Sequence, residues 1–217
     1  ELIKTLGKDF PATDIEINET LRIEKESIPC DFEYVLPSQA QTIESIRLAS
    51  RGNVANTSKG TLVEAVITHP KALTGVDKTI SFEIDFPENF VLSKYSDEYI
   101  LSNNNSTIAV KDMKADGDAT TVRFYIDYIV DVDKYIDNGV IRFDDDITYT
   151  LDYTVNGTVR VDGNMKREDF VFNVAIDVPL AFSDLKGRTK DIEVDFSTVE
   201  LDFVGHFDNL EYIDKIN

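Results

Sequence analysis

The sequence predicts an all-β protein, built either as an antiparallel β-sandwich or as one large coiled sheet with long strands. Apolar and polar residues alternate through most of the chain. In Thr79–Phe86 every even-numbered residue is apolar and every odd-numbered residue is polar. This period of two is typical of antiparallel strands with one face on a core and the other in water. No segment keeps the helical period of 3.6 for more than two turns, which also favours the all-β class.

Short or weakly alternating runs predict most strands of the first half. These runs are Asp14–Glu24, Phe32–Leu36, Ile43–Leu48, Leu62–Thr68, Tyr99–Leu101 and Thr107–Val110. The patterns of the second half are stronger. In Thr121–Val132 the even-numbered residues are apolar and predict the core face, whereas Tyr125 and Ile129 interrupt the otherwise polar odd-numbered face. Phe170–Val178 and Ile192–Phe196 repeat the alternation and predict two further strands.

One long strand is predicted through Asn156-Gly157, although this dipeptide is ordinarily a strong hairpin signal. A two-residue turn there would place Tyr153 opposite Arg160 and mix apolar with polar groups on both faces. If the strand instead continues through Asn156-Gly157 without a turn, the odd-numbered residues of Ile147–Val161 form one apolar face. Because a slip of one residue would exchange the two faces, the continuous register is favoured. We therefore expect a strand of about 15 residues, with Gly157 as a bend or a tight contact.

The length and composition allow a substantial core. The chain has 217 residues, of which 42% are hydrophobic, so it can form one large domain or two small ones. The polar turns near the middle suggest an N-terminal β module over residues 1–115 and a long-stranded C-terminal module over residues 116–217. The alternative is a single composite domain.

The charge balance argues against nucleic-acid binding. There are 41 Asp and Glu residues against 22 Lys and Arg residues, which gives a net charge of −19. Each phosphate contact requires a cation, and the summed field of this chain repels a polyanion. The partners that remain are proteins, glycans or small molecules.

No catalytic constellation emerges from the polar residues. His69 and His206 share no motif, and we expect both to be surface or capping residues whose replacement leaves the fold intact. The many carboxylates permit a glycoside hydrolase as the enzymatic alternative, because such enzymes need only a pair of acids at a suitable distance. Among so many acids, however, such a pair arises by chance, so a non-enzymatic protein without a cofactor is favoured.

Calcium is the one cofactor for which the sequence offers ligands. Asp112, Asp116 and Asp118 lie around Gly117 and supply hard oxygen atoms in a turn, as Ca²⁺ requires. The spacing does not match the loop of an EF-hand. The alternative interpretation is that these side chains are solvated turn residues, and it is the favoured one.

Two features suggest a binding surface. Tyr125 and Ile129 are apolar residues on a face that is otherwise polar, so either another part of the chain or a partner must cover them. On the long strand the polar face carries a ladder of threonines, which suits a sugar-binding or protein-binding face and is also typical of strand-forming residues. The ladder consists of Thr148, Thr150, Thr154 and Thr158.

Roughly residues 140–217 contain the tyrosine-rich strand Tyr149–Val161, then the return segment Phe170–Val178, and then Lys186-Gly187 leading to Phe196. This succession is the basis of a resemblance to the secreted all-β lipoproteins of Bacteroidetes cell envelopes. It implies a signal peptide with a lipobox upstream, a place at the cell surface or outside the cell, and adhesion or binding of a protein or glycan partner. Any membrane attachment would then use a lipid anchor outside this chain. The alternative function is a binding module for a glycan or an apolar small ligand.

Overall fold

The computed structural model describes residues 11–30, 32–36, 40–50, 59–143, 145–178 and 182–189. Within these residues the chain forms β-strands joined by turns and by four short 3-10 segments. The strands are β1 (Thr13–Pro29), β2 (Phe32–Val35), β3 (Ala40–Leu48), β4 (Thr61–Thr68), β5 (Asp77–Asp85), β6 (Phe90–Lys94), β7 (Ile100–Ser102), β8 (Thr107–Lys114), β9 (Ala119–Val130), β10 (Ile136–Asp137), β11 (Val140–Phe143), β12 (Asp146–Val161), β13 (Asn173–Asp177) and β14 (Phe182–Thr189). The predicted strand Ile192–Phe196 lies outside the described residues.

The strands form three antiparallel sheets. The first sheet has five strands in the order β1-β12-β5-β8-β7. The second has six strands: β13-β4-β9-β3-β14 in order, with β6 also paired to β9. A smaller sheet joins β10, β11 and β2. The prediction of an all-β fold with antiparallel sheets is therefore confirmed, and the architecture is a sandwich that is not closed into a barrel.

Both large sheets mix strands from the two halves of the chain. In the five-stranded sheet β1 pairs with β12 along nearly its whole length, and β5 pairs with β12 on the other side. In the six-stranded sheet β4 pairs with β9. Strands from residues 1–115 and strands from residues 116–217 are thus hydrogen-bonded neighbours in both large sheets.

The long strand is confirmed as one uninterrupted element, β12. Its register against β1 runs from Val161 to Asp146, and Gly157 faces Ile17 without a turn. Gly157 has a φ of 146°, which side-chain-bearing residues rarely adopt, and a Cβ atom there would lie 3.2 Å from Val76 Cγ1. The glycine therefore marks a closely packed point of the strand whose backbone conformation favours glycine, and the expected tight contact is confirmed.

The core lies between the two large sheets. Phe86 at the end of β5 contacts Phe124 of β9 edge-on, with ring centroids 5.8 Å apart, and Phe90 contacts Phe143 at 5.7 Å. Burying a side chain of this size stabilises the fold by roughly 1.5–3 kcal/mol. The largest fully buried side chains include Phe82, Phe90, Phe124, Phe143, Ile46, Leu48, Ile67, Ile80, Ile84, Leu92, Ile108 and Ile126.

A β-bulge at Asp127 divides β9 into two parts. Leu92 of β6 faces Ile126 and the preceding Val91 faces Tyr128, so Asp127 is the extra residue. After the bulge Ile129 is buried, whereas Tyr128 is exposed and Val130 is half-buried, so the predicted core face of even-numbered residues is wrong at these two positions. It is correct again at Val132, which is buried in the following 3-10 segment. The bulge is held by Asp127, whose Oδ1 accepts a hydrogen bond of 2.8 Å from the backbone N–H of Gly60.

Candidate functional site

Both residues of the predicted binding surface, Tyr125 and Ile129, are buried in the structure. Ile129 is fully buried because the bulge at Asp127 turns it into the core between β3 and β6. Tyr125 lies on the outer face of β9 and is 5% exposed. Tyr95 stacks on its ring with centroids 6.0 Å apart, and Lys59 Nζ lies 5.8 Å from the ring centroid. Neither side chain is therefore an exposed contact residue, since the chain itself covers both.

The cover over Tyr125 belongs to a larger group of tyrosines and cations on the outer face of the six-stranded sheet. Arg123 Cζ lies 6.0 Å from the ring centroid of Tyr95, and Arg47 Cζ lies 5.8 Å from that of Tyr128. We call this group the Tyr–Arg stripe. It comprises Arg47, Lys59, Tyr95, Arg123, Tyr125 and Tyr128.

The accessible part of the stripe is aromatic. Tyr95 is 49% exposed and Tyr128 is 39% exposed, which makes them two of the large exposed apolar side chains among the described residues. Both rings are held against cations, an arrangement worth about 0.5–1 kcal/mol per pair at exposed sites. The stripe thus presents tyrosine rings in fixed orientations to the solvent.

An ion pair positions the central cation of the stripe. Glu64 faces Arg123 directly across the β4–β9 pair, and its Oε1 accepts a hydrogen bond of 2.7 Å from Arg123 Nε. Both side chains are about 40% exposed, so the pair adds about 1 kcal/mol of stability at most. Its main effect is to fix the guanidinium beside Tyr95.

A second feature is a groove on the outer face of the five-stranded sheet, with a volume of about 390 Å³. Two β-bulges lie on its two sides. In β1 the pair Glu24-Lys25 faces the single residue Thr150 of β12, and in β8 the pair Lys111-Asp112 faces the single residue Ser81 of β5. Because bulges bend strands, these two account for the concave shape of this face. Bulges are also frequent beside functional sites.

The walls of the groove carry equal numbers of cations and carboxylates. Arg22 and Asp152 form a two-bonded pair, with Nε–Oδ1 and Nη2–Oδ2 distances of 2.7 and 2.9 Å. The hydrogen bond from Arg22 lowers the pKa of Asp152 below its ordinary value. The charged side chains that line the groove are Arg22, Glu24, Lys25, Glu83, Lys111 and Asp152.

The threonine ladder shares this outer face. Strand register places Thr148, Thr150, Thr154 and Thr158 on one side of β12, as the alternation predicts. Thr150 lines the groove, whereas Thr154 bonds to Thr20 of β1 through hydroxyl oxygens 2.9 Å apart.

The three aspartates proposed for calcium are not brought together. Asp112 bonds to Ser81 of β5, Asp116 pairs with Lys114 at 3.4 Å, and the backbone oxygen of Asp118 accepts from the His69 amide. Within the described residues no three His, Cys, Asp or Glu side chains form a group that could hold a metal ion.

His69 is a buried residue, so its expected place on the surface is wrong. It is 5% exposed, its Nε2 lies 2.8 Å from Thr120 Oγ1, and its ring lies 5.5 Å from the ring of Tyr153. His69 Nδ1 and the Tyr153 hydroxyl have no hydrogen-bond partner among the described residues. Burial lowers the pKa of His69, with a smaller effect of Lys78, and raises the pKa of Tyr153 to about 12. His206 lies outside the described residues.

Comparisons with protein-family models, with curated proteins and with solved structures give no match to this chain. Among the residues that the structure describes, none of the helical segments has the length and apolarity needed to cross a membrane.

Proposed function

We propose that this chain is a non-enzymatic binding module that contacts a protein partner through the Tyr–Arg stripe. The proposal includes the expected setting at the cell envelope or outside the cell, where such contacts serve adhesion. The single observation that supports it is the pair of exposed tyrosine rings, Tyr95 and Tyr128, each held against an arginine on one sheet face.

The composition of the stripe is that of a protein interface. Tyrosine and arginine are enriched at such interfaces and at the residues that dominate their binding energy, whereas lysine and glutamate are depleted. Tyr95 and Tyr128 offer large contact areas, and their stacking and cation contacts restrict their motion before binding. A partner therefore orders little additional side-chain structure when it binds.

The charges of the stripe indicate what the partner presents. Arg47, Lys59 and Arg123 are cations on a chain with a net charge of −19, and the carboxylate paired with Arg123 is Glu64. A partner surface with backbone carbonyls and a few carboxylates complements this pattern. An apolar small ligand has less support, because the apolar side chains of the described inner strand faces pack against one another in one hydrophobic cluster.

A double substitution tests the proposal. The full chain and the variant Tyr95→Ser/Tyr128→Ser are each immobilised and exposed to envelope proteins, and any protein retained by the unmodified chain is purified for affinity measurement. We expect the double variant to bind that protein at least about tenfold more weakly, because each substitution removes the large contact that a tyrosine ring makes. The melting temperature should fall by only several degrees, since Tyr95 and Tyr128 are 49% and 39% exposed and neither belongs to the buried core.

The matched control is Leu21→Ser. Leu21 is 51% exposed, close to the 49% of Tyr95, but it lies on β1 of the other sheet. The control should retain full affinity. Equal affinity of the double variant and the unmodified chain would contradict the proposal.

A further inference from the structure

We infer that the groove on the outer face of the five-stranded sheet is a second binding site, for a neutral oligosaccharide. This site lies on a different sheet from the Tyr–Arg stripe and does not depend on it. The inference rests on the shape of the groove, on its balance of charge and on its mixture of hydrogen-bonding groups.

The groove is built by the backbone rather than by chance contacts of side chains. The bulge in β1 faces the row of Thr150 and Glu83, and the bulge in β8 faces the adjacent row of Asp152 and Ser81, so the two bulges flank the central pair β12–β5 at neighbouring rows. Each bulge contains a non-glycine residue with positive φ, 32° at Lys25 and 49° at Asp112. Such residues are uncommon, and these two help the strands to bend at the sides of the groove.

Strand register shows what forms the floor and the walls. One row across the sheet runs from Thr150 through Glu83 to Ala109, and the next runs from Arg22 through Asp152 to Ser81. The small side chains of these rows leave room between the long ones. The volume of about 390 Å³ falls in the range of small-ligand sites, which is roughly 300–1,000 Å³.

The charges that line the groove cancel. Arg22, Lys25 and Lys111 are opposed by Glu24, Glu83 and Asp152, whereas the whole chain carries −19. A charged ligand would thus gain little net attraction from the lining. A neutral ligand fits this balance better than an anion or a cation.

The polar groups suit ligand hydroxyls. A sugar hydroxyl both donates and accepts hydrogen bonds, and the groove offers donors and acceptors side by side. The bonded pair Arg22–Asp152 fixes a guanidinium next to a carboxylate, so that neighbouring ligand hydroxyls can accept from one and donate to the other. The hydroxyls of Ser81 and Thr150 add groups that act in either role.

The test is a titration of the ¹⁵N-labelled full chain, followed by NMR, with cellohexaose, xylohexaose, mannohexaose and chitohexaose in turn. Hexagalacturonate serves as the acidic comparison. At least one neutral oligosaccharide should give saturable shifts at amides of Ile23–Glu26, Ser81–Glu83, Lys111–Asp112 and Thr150–Asp152. Absence of saturable shifts with all four neutral probes would overturn the inference, as would tighter binding of hexagalacturonate or shifts confined to other surfaces.

Matched variants on one strand locate the site. Thr150→Trp fills the groove, whereas Thr158→Trp places the same side chain on the same face of β12 beyond it. The first variant should lose at least about tenfold in affinity and the second should keep it. Arg22→Gln, at a side chain 62% exposed, provides a second groove variant that does not add bulk and should also weaken binding. Equal affinity of the groove variants and the Thr158 variant would overturn the inference, and neither result bears on the Tyr–Arg stripe.

Discussion

The imidazole of His69 is held in surroundings that favour its neutral form. The ring is buried between the end of β4 and Tyr153 of β12, and Lys78 places a positive charge nearby. Asp118 acts in the opposite direction, but burial is the largest effect and lowers the pKa of His69. In the unfolded chain the same group has a pKa of about 6.5.

This difference predicts a loss of stability on mild acidification. Between the two pKa values the unfolded chain binds a proton that the folded chain does not, so the free energy of unfolding falls as the pH drops below about 6.5. Each unit of separation between the two values is worth about 1.4 kcal/mol. Urea unfolding at pH 7.5 and 5.5 should show a larger loss for the unmodified chain than for His69→Gln. Equal losses would show that His69 does not carry the effect.

Residue-level burial was only partly predictable. The alternation of Thr121–Val132 correctly marked Tyr125 as an apolar residue on the outer face, but its cover comes from Tyr95 and Lys59, which lie far from it in sequence. His69 precedes Pro70, and this pattern indicates only the end of a strand. Its burial against Tyr153 depends on how the sheets pack, which a single sequence does not show.

Among the elements, β9 depends on a close contact with Gly60. The backbone of Gly60 lies so near to β9 that a Cβ atom there would come within 1.9 Å of the Ile126 oxygen and 2.7 Å of the Asp127 Cα. Both of these atoms belong to the backbone, so neither can move aside cheaply. The contact keeps Asp127 in reach of the Gly60 amide and thereby maintains the bulge that orients Tyr128 outward.

We expect Gly60→Ala to destabilise the protein by more than about 3 kcal/mol, because backbone of β9 must shift to admit the methyl group. Gly75→Ala is the control: its methyl group would meet no atom within 4 Å, and only the φ of 77° is unfavourable. That strain should cost about 1–2 kcal/mol. Denaturant unfolding of both variants measures the difference, and equal costs would contradict the role assigned to Gly60.

The alternating elements and a few short ones, such as β2 and β7, were predictable, whereas other short or irregular elements were not. β5 and β12 follow directly from period two, since their two faces differ along the whole strand. β6 and β11 have few residues and little contrast between their two faces. β14 contains Gly187, where a Cβ atom would collide with the backbone oxygen of Thr42. This close approach explains why the residue is a glycine, but it does not predict a strand. The bulge at Asp127 escaped prediction because one inserted residue leaves no mark in composition.

The electrostatics of the whole molecule is dominated by its negative net charge of −19, which results from 41 acidic and 22 basic residues. Such an excess destabilises the compact state through self-repulsion, which salt screens over distances of about 10 Å at 0.1 M. The Tyr–Arg stripe contains three cations in a chain that is otherwise acidic. A partner surface with carbonyl and carboxylate groups is thus attracted to the stripe more than to the acidic parts of the surface.

The melting temperature should rise by a few degrees as NaCl is increased from about 10 to about 200 mM, because screening reduces the repulsion. At equal ionic strength CaCl₂ and MgCl₂ should give the same value, since Asp112, Asp116 and Asp118 contact different groups. Differential scanning calorimetry measures both effects. A rise specific to Ca²⁺ that disappears in Asp116→Asn/Asp118→Asn would instead establish a calcium site.

Hydroxyl-radical footprinting of the complex tests the Tyr–Arg stripe most directly. The full chain is oxidised with and without the partner purified by capture, and modification of each side chain is quantified by mass spectrometry. We expect modification of Tyr95 and Tyr128 to fall severalfold in the complex, while Leu21 on the other sheet, with similar exposure in the free chain, is modified to the same extent with and without the partner. Unchanged modification of both tyrosines, with protection elsewhere on the chain, would contradict the proposed role of the Tyr–Arg stripe.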